Sequence, residues 1–381
     1  MEHHSLAAHD HRSLPVPAPP PTFGIEEEFF LVDPRTRRIT SRADEVLADN
    51  RNPHLCGEFS QTQLEANSPV CTTSTEAHEF LVSTRHALAE AADRSRLRII
   101  ASGSSVLGDP AAARLSDGAR YTAMADHYGA LCDAHVVCGC HVHVGVPDRE
   151  SAVRVSDHLR RWLPSLTALG ANSPFHDGRD TGHASWRTIT WNRLPSAGPP
   201  PLLRTLETHD RTVRALAHSG AILDPHMVYW GVRLSDHLPT LEIRVGDVAA
   251  TTEEALLMAL IVRGLSARAL SDVRLGRPAP EISGAALLAA LWRAARDGLE
   301  GEVPDPLTGD LVPGHRAADH LLRAALPGSA PDDADLAAVL LERVHRAGSG
   351  AARQRRAYDR RGSPADVVDL LIAQTREGLP A

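Results

Sequence analysis

Two segments far apart in the chain place charged side chains two residues apart inside otherwise apolar strands. The first is Gly24-Ile25-Glu26-Glu27-Glu28-Phe29-Phe30-Leu31, and the second is Leu241-Glu242-Ile243-Arg244-Val245. Alternate side chains of a β-strand share a face. Glu26 therefore projects beside Glu28, and Glu242 beside Arg244, while Leu241, Ile243 and Val245 point into a core. Two more segments fit this scheme: Phe59 to Glu65 puts Gln63 and Glu65 on one face with Glu58 just upstream, and Val137 to Gly145 puts His141 beside His143. Carboxylates in a row on one sheet face repel and lose hydration unless something compensates them. Divalent cations carrying a polyphosphate would do so. Carboxylates suit Mg²⁺ or Mn²⁺, which prefer oxygen ligands, and the fixed donor fork of Arg suits a phosphoryl group in transfer.

Each of these motifs alone has a plainer reading. Glu26 and Glu28 fit a solvated strand face, Glu65 a surface residue, His141 and His143 hydrogen-bonded core imidazoles, and Glu242 with Arg244 an ion pair. The combination of carboxylates, imidazoles and one Arg on four strands separates them from an ordinary half-exposed sheet. The string Cys138-Gly-Cys140-His141-Val-His143 suggests a Cys2His2 zinc site. A straight strand, however, sends its thiols and imidazoles to opposite faces, so small apolar packing is the expected role of both cysteines.

The elements that must position these groups are legible from periodicity and caps. Residues 23–33 and 58–67 read as strands, with a turn at Asp33-Pro34-Arg35-Thr36 leading to a short further strand. Thr73 with Glu76 has the capping-box signature of a helix running to about Arg96. Residues 97–102 and 136–146 read as strands, 151–169 as helix, 172–203 as loop-rich, and 239–247 as the Glu242 strand. Thr251 with Glu254 caps a helix whose Leu256, Leu257, Leu260, Ile261 and Leu265 form an apolar stripe. From about residue 283 the chain is mostly helical. Strands scattered among helices, without regular βαβ alternation, predict an α+β fold. No internal repeat or linker divides the chain. The expectation is a disordered tail over residues 1–21 and one catalytic domain over 22–381 with a helical C-terminal part. There is no Walker A sequence and no strand–GxGxxG–helix unit, so any nucleotide must be held another way.

Composition excludes several classes. The 381 residues are 43% hydrophobic, ample for a globular core. No apolar run approaches the ~18 residues of a membrane helix. Formal net charge is −8, with no basic footprint for nucleic acid. The His- and Pro-rich start lacks the apolar stretch of a signal peptide. With five cysteines, this favours reduced thiols in a cytoplasm.

Several motifs in one order resemble the carboxylate–amine ligases known as type 2 glutamate–cysteine ligases. They are Gly24 to Phe29, Gln63-Leu64-Glu65, Cys138 to Asp148, Pro239 to Asp247, Ala171-Asn-Ser-Pro-Phe175, Ser185-Trp-Arg187 and Gly350 to Arg355. The resemblance implies a glutamine-synthetase-like fold, in which an antiparallel sheet flanked by helices forms a funnel for ATP and divalent ions. It also implies that a glutamate γ-carboxylate takes the γ-phosphoryl of ATP and that an amine then displaces phosphate. By motif position Glu26, Glu28, Glu58, Glu65 and Glu242 would hold Mg²⁺ or Mn²⁺, and His141 would lie near the metals or phosphates. Arg244 would stabilise the phosphoryl charge, and His143 and Arg353 would contact the nucleotide. Gly231, Gly246 and Ala249 are smaller than the resemblance leads one to expect, with an acidic residue expected at 231. The implied partners are small-molecule substrates, with self-association left open. Two alternatives are the same chemistry on another carboxylate or amine, and a non-catalytic nucleotide- or metal-binding relative. A third is a metal-dependent hydrolase built on the same carboxylates.

Overall fold

The computed structural model describes residues 20–380. The expected tail lies outside the described residues except for Pro20 and Pro21, and the Pro21 carbonyl accepts a hydrogen bond from Arg263 Nε at 2.8 Å.

Seven strands form one sheet: β1 (Phe23–Val32), β2 (Leu55–Gly57), β3 (Gln63–Asn67), β4 (Arg98–Ile100), β5 (Gly139–Gly145), β6 (Val232–Leu234) and β7 (Thr240–Asp247). Their order across the sheet is β6-β7-β5-β1-β3-β2, with β4 pairing the end of β1. Every pairing is antiparallel. Helices flank this sheet, giving the α+β architecture expected from the sequence.

Helix α1 (Ser74–Arg94) begins with the expected capping box. Thr73 Oγ1 accepts from Glu76 N at 3.2 Å, and Glu76 Oε2 accepts from Thr73 N at 3.2 Å. Helix α2 (Thr252–Arg274) is buried almost all round from Ala255 to Ser266, as a helix enclosed by other elements must be. It packs on β5, α1 and the C-terminal helices. No helix among the described residues is long and apolar enough to cross a membrane.

The sheet face opposite the candidate site is apolar with one exception. Ile25, Phe29 and Leu31 of β1 are buried there, and so is Glu27. Arg85 of α1 meets Glu27 in the core: its Nε lies 3.0 Å from Glu27 Oε2, and its guanidinium also reaches the carbonyls of Ala249 and Ala250. Alternation thus sends Glu27 away from its two neighbours, where a buried cation neutralises it.

Three local expectations are revised. Residues 58–67 are not one strand. The chain turns over residues 58–62, and β2 and β3 form a hairpin pairing Leu55 with Ala66 and Gly57 with Leu64. The Ser60 hydroxyl accepts from Thr62 N at 3.2 Å and Gln63 N reaches Ser60 O at 2.9 Å, so local hydroxyl bonding competes successfully with extension. The short strand expected after Asp33 reduces to a single bridge between Val32 and Ile39. The loop-rich segment contains a short helix, Trp186–Trp191, capped by Ser185.

Candidate active site

Register brings the sequence-predicted groups onto one face. Glu26 lies opposite His141, and Glu28 opposite Glu65. Glu242 lies opposite His143 on one side and Arg233 on the other. Glu58 enters from the turn between β2 and β3, its carboxylate accepting from Phe59 N at 2.5 Å.

Two groups of acids result. Glu26, His143 and Glu242 offer ligand atoms all within 4.8 Å of one another. Glu26 Oε1 is 3.0 Å from His143 Nε2, and its Oε2 is 3.0 Å from His141 Nδ1. Burial opposes ionisation of Glu26, but hydrogen bonds from both imidazoles hold its pKa well below the usual carboxylate range. Glu242 is likewise depressed despite burial, by Arg244 and Arg233. Arg233 Nε donates to Glu242 Oε2 at 2.7 Å, and Arg244 donates to Glu242 Oε1.

Glu28, Glu58 and Glu65 behave oppositely. Burial and the Glu58 charge push Glu28 up to about 8, although Gly139 N donates to it at 2.6 Å. Burial also raises Glu58, and burial with the charges of Glu58, Glu26 and Glu28 raises Glu65. The protein's own cations neutralise this second trio less fully than Glu26 and Glu242. The donor chemistry of both groups therefore fits hard divalent cations.

The imidazoles differ from their expected ranking. His143, expected only at the nucleotide, shares the first acidic group. Burial alone would lower its pKa, but Glu26 and Glu242 leave it raised. His141 is nearly inaccessible and its pKa falls to about 4, through burial and then the Arg244 charge, so it is neutral near pH 7.

Two further guanidiniums were missed in the sequence. Arg187, 2% exposed, donates to the Arg244 carbonyl at 3.2 Å and lies 3.5 Å from His141 Nε2. Gly139 permits this approach, since a Cβ there would sit 2.8 Å from His141 Nε2. Arg187 stands in the quoted motif Ser185-Trp-Arg187, but no periodicity ties that helix to the sheet. Arg233 was legible only through its alternation in Val232-Arg233-Leu234 beside the Glu242 strand.

Arg353 and Val245 are placed as follows. Arg353 does not join the cluster. It lies on helix Gly350–Asp359, pairs with Glu254 at 2.6 Å and donates to Gly348 O at 2.7 Å. A hollow lined by Thr251, Glu254 and Arg343 also borders it. Val245 is buried in the core with Leu241 and Ile243, as expected. A register shift follows Ile243, and Val245 also borders a small cavity together with Arg244.

The other quoted motifs converge on Asp247. Its carboxylate accepts from Asn172 N at 2.8 Å, Ser173 Oγ at 2.7 Å and Ser185 Oγ at 2.8 Å, while Gln354 Nε2 donates to Asn172 Oδ1 at 2.8 Å. This buried network anchors the segment carrying Arg187 to the end of β7.

All five thiols are unpaired. Cys140 faces Glu27 and Arg85, opposite the carboxylates, and Cys138 precedes β5 near Gln63. Burial raises both thiol pKa values, the reverse of a thiolate metal ligand. Substituting Cys138→Ala and Cys140→Ala should leave divalent-ion-dependent turnover largely intact. Stoichiometric zinc, measured by elemental analysis and lost with these substitutions, would contradict the assignment.

Comparison with known proteins places this site in a family. The profile of the glutamate–cysteine ligase family 2 matches residues 22–370. A Rhodococcus jostii protein named "Putative glutamate–cysteine ligase 2-1" is 44% identical over 355 residues, covering 93% of this chain and 95% of its own. A Saccharopolyspora erythraea relative bearing the same name with the suffix 2-2 is 40% identical, covering 98% of each chain. Among solved structures, the fold is similar to that of the Francisella tularensis glutamate–cysteine ligase in complex with AMP, with TM-score 0.72, 12% identity, and 96% of this chain and 91% of that one covered. The bifunctional glutathione synthetase of Pasteurella multocida is similar at TM-score 0.64 and 16% identity, over 94% of this chain and 53% of that one. With its profile match spanning nearly the whole described chain, this protein belongs to the glutamate–cysteine ligase family 2.

Proposed function

We propose that this chain is an ATP-dependent carboxylate–amine ligase that joins the γ-carboxylate of L-glutamate to the amine of L-cysteine. One observation carries the reading: Glu26, His143 and Glu242 bring their ligand atoms together beside the Arg244 guanidinium, and burial and mutual repulsion raise the pKa values of the neighbouring Glu28, Glu58 and Glu65. Membership of the family supports it.

In this reading Glu26, His143 and Glu242 hold one divalent ion, and Glu28, Glu58 and Glu65 hold another. Mg²⁺ or Mn²⁺ bound there would neutralise phosphate oxygens and polarise the transferring group. Arg244, oriented by Glu242, binds charge that develops on the γ-phosphoryl. Neutral His141, fixed by Glu26, keeps a second cation from accumulating beside Arg244. Arg187 braces the Arg244 backbone from below. The γ-carboxylate attacks the γ-phosphoryl and releases ADP. The amine then attacks the acyl carbon, phosphate leaves with the C–O bond electrons, and the amine loses a proton. Residues 22–381 would act as one catalytic domain, in the cytoplasm, on small-molecule substrates.

A screen of ADP release with paired carboxylates and amines tests this. Release should require Mg²⁺, glutamate and an amine together. Release that ignores the amine would favour a hydrolase.

The acids also predict a pH dependence. Without divalent ions, thermal stability should fall as pH rises from 6.5 to 8. Glu28, raised to about 8, retains a proton in the fold that an unfolded carboxylate, with pKa 4.5, has released, so stability declines with pH; Glu58 and Glu65 are shifted in the same direction. The raised His143 acts in the same direction. His141, near 4 in the fold and 6.5 unfolded, opposes this only at lower pH. Mg²⁺ should therefore raise the melting temperature more at pH 8 than at pH 6.5. A pH-independent Mg²⁺ effect would contradict the second ion group.

A further inference from the structure

Asp247 ends the strand that carries Glu242 and Arg244, yet its carboxylate belongs to neither acidic group. It is buried, and both of its oxygens are occupied. Oδ2 accepts from Asn172 N at 2.8 Å and Ser173 Oγ at 2.7 Å, and Oδ1 accepts from Ser185 Oγ at 2.8 Å. A hydroxyl has one proton to give. With that proton on Asp247, Ser173 Oγ accepts from Arg187 N at 3.1 Å and Ser185 Oγ accepts from Thr188 N at 3.2 Å. Those N–H groups belong to the first turn of the helix Trp186–Trp191, where no intrahelical partner exists for them. Through two hydroxyls, Asp247 therefore fixes the backbone that carries Arg187.

The surroundings leave this carboxylate one place to sit. A Cβ on Gly103 would lie 2.6 Å from Asp247 Cγ, and one on Gly350 would lie 2.2 Å from Asn172 Oδ1. Asn172 donates to Ala101 O and Val248 O, both at 2.9 Å, and accepts from Gln354 Nε2 at 2.8 Å. At its far end Arg187 meets the reacting centre. Its Nη1 donates to the Arg244 carbonyl at 3.2 Å and its Nη2 lies 3.5 Å from His141 Nε2, while His141 Nδ1 lies 3.4 Å from Arg244 Nη1. Burial lowers the Arg187 pKa, and Asp247 heads the charges that oppose this.

We propose that Asp247 is a positioning residue for phosphoryl transfer, acting through Arg187 to hold the Arg244 guanidinium and the His141 ring in place. The inference rests on the ligase reading. Asp247 works on Arg244 through its backbone and through the imidazole beside its guanidinium. Its loss should therefore misplace a group that matters in the transition state and leave ATP binding nearly intact.

Asp247→Asn keeps the shape and places an amide that can donate to Ser185 Oγ, so it isolates the charge. With Mg²⁺, glutamate and cysteine saturating, kcat for ADP release should fall about 10-fold or more. KM for ATP should stay within about twofold of wild type, so that kcat and kcat/KM fall together. A double-mutant cycle with Arg187→Gln separates this from a loss of folded protein. If Asp247 acts through Arg187, the double variant should turn over no more than about twofold slower than Arg187→Gln alone. Ser173→Ala keeps both charges and cuts the hydroxyl link between them. It should lower kcat by about threefold or more at unchanged KM, which keeps the proposal falsifiable if Arg187→Gln does not fold. A kcat within about twofold of wild type in Asp247→Asn and Ser173→Ala, a loss confined to KM for ATP, or losses that add fully in the double variant would overturn the positioning role and leave the ligase reading standing. A wild type whose ADP release ignores the amine would overturn both.

Discussion

Arg244→Lys should lower turnover about 10²-fold or more, the scale seen when one strong transition-state donor is lost. The residue is held for this task from two sides. Glu242 accepts from its Nη1, and its backbone carbonyl accepts from buried Arg187 at 3.2 Å. Burial alone would lower its pKa, yet Glu242, Glu28 and Glu26 raise it, so its charge is permanent. Lys keeps a charge but loses the planar fork and cannot both bond Glu242 and present a second edge to a phosphate. Because the charge it meets develops during transfer, its worth lies in the transition state and not in ATP affinity. Direct binding of ATP, by calorimetry, should therefore change far less than kcat. Normal turnover in Arg244→Lys, or a loss confined to ATP affinity, would remove Arg244 from the chemical step.

The largest stability effect is expected on the other face of the same sheet, at Glu27 of β1. Arg85→Ala should destabilise the fold by about 3–5 kcal/mol, because it leaves the Glu27 carboxylate buried and unpaired. Arg85 and Glu27 are both essentially inaccessible. The loss extends to the backbone, since the Arg85 guanidinium also donates to Ala249 at 2.9 Å and Ala250 at 3.2 Å, just before α2. Replacing both partners by apolar groups of similar volume, Glu27→Leu with Arg85→Met, should recover much of the loss. Urea unfolding of the three proteins measures this. An Arg85→Ala variant within about 1 kcal/mol of wild type would mean that the pair is not a structural anchor.

Much of the candidate site could be read from the chain because strand alternation is short-ranged and strict. Glu26 with Glu28, Glu242 with Arg244, and His141 with His143 share a face wherever those strands pair. Glu27 follows from the same rule, one residue out of phase. Non-local facts escaped. The identity of β7's neighbours decides that His143, and not only His141, meets Glu26 and Glu242, and no local pattern encodes pairing order. The register shift after Ile243 was not legible either, because bulges leave no reliable mark in sequence. Arg187 reaches the site because Asp247 ties residues 172, 173 and 185 to the end of β7, a tertiary connection between segments more than 60 residues apart. Arg353 belongs to a quoted motif, and its helix packs where Glu254 can neutralise it, a pairing that no local pattern encodes. The helices were clearest where caps are chemical, as at Thr73 and Thr251, and the strand ends were least clear where Ser60 and Thr62 fold the chain on itself.

The proposed acyl phosphate has a consequence that no hydrolase or passive binder shares. If a carboxylate oxygen attacks the γ-phosphoryl, that oxygen stays with phosphorus when the amine displaces phosphate. Glutamate labelled with ¹⁸O in its γ-carboxylate should therefore be turned over with Mg²⁺·ATP and cysteine, and the inorganic phosphate analysed by mass spectrometry. One ¹⁸O per phosphate released, in step with ADP and amide formation, is the expected result. Phosphate carrying no label while ADP accumulates would show that water attacks the phosphoryl group, and the ligase mechanism would be wrong.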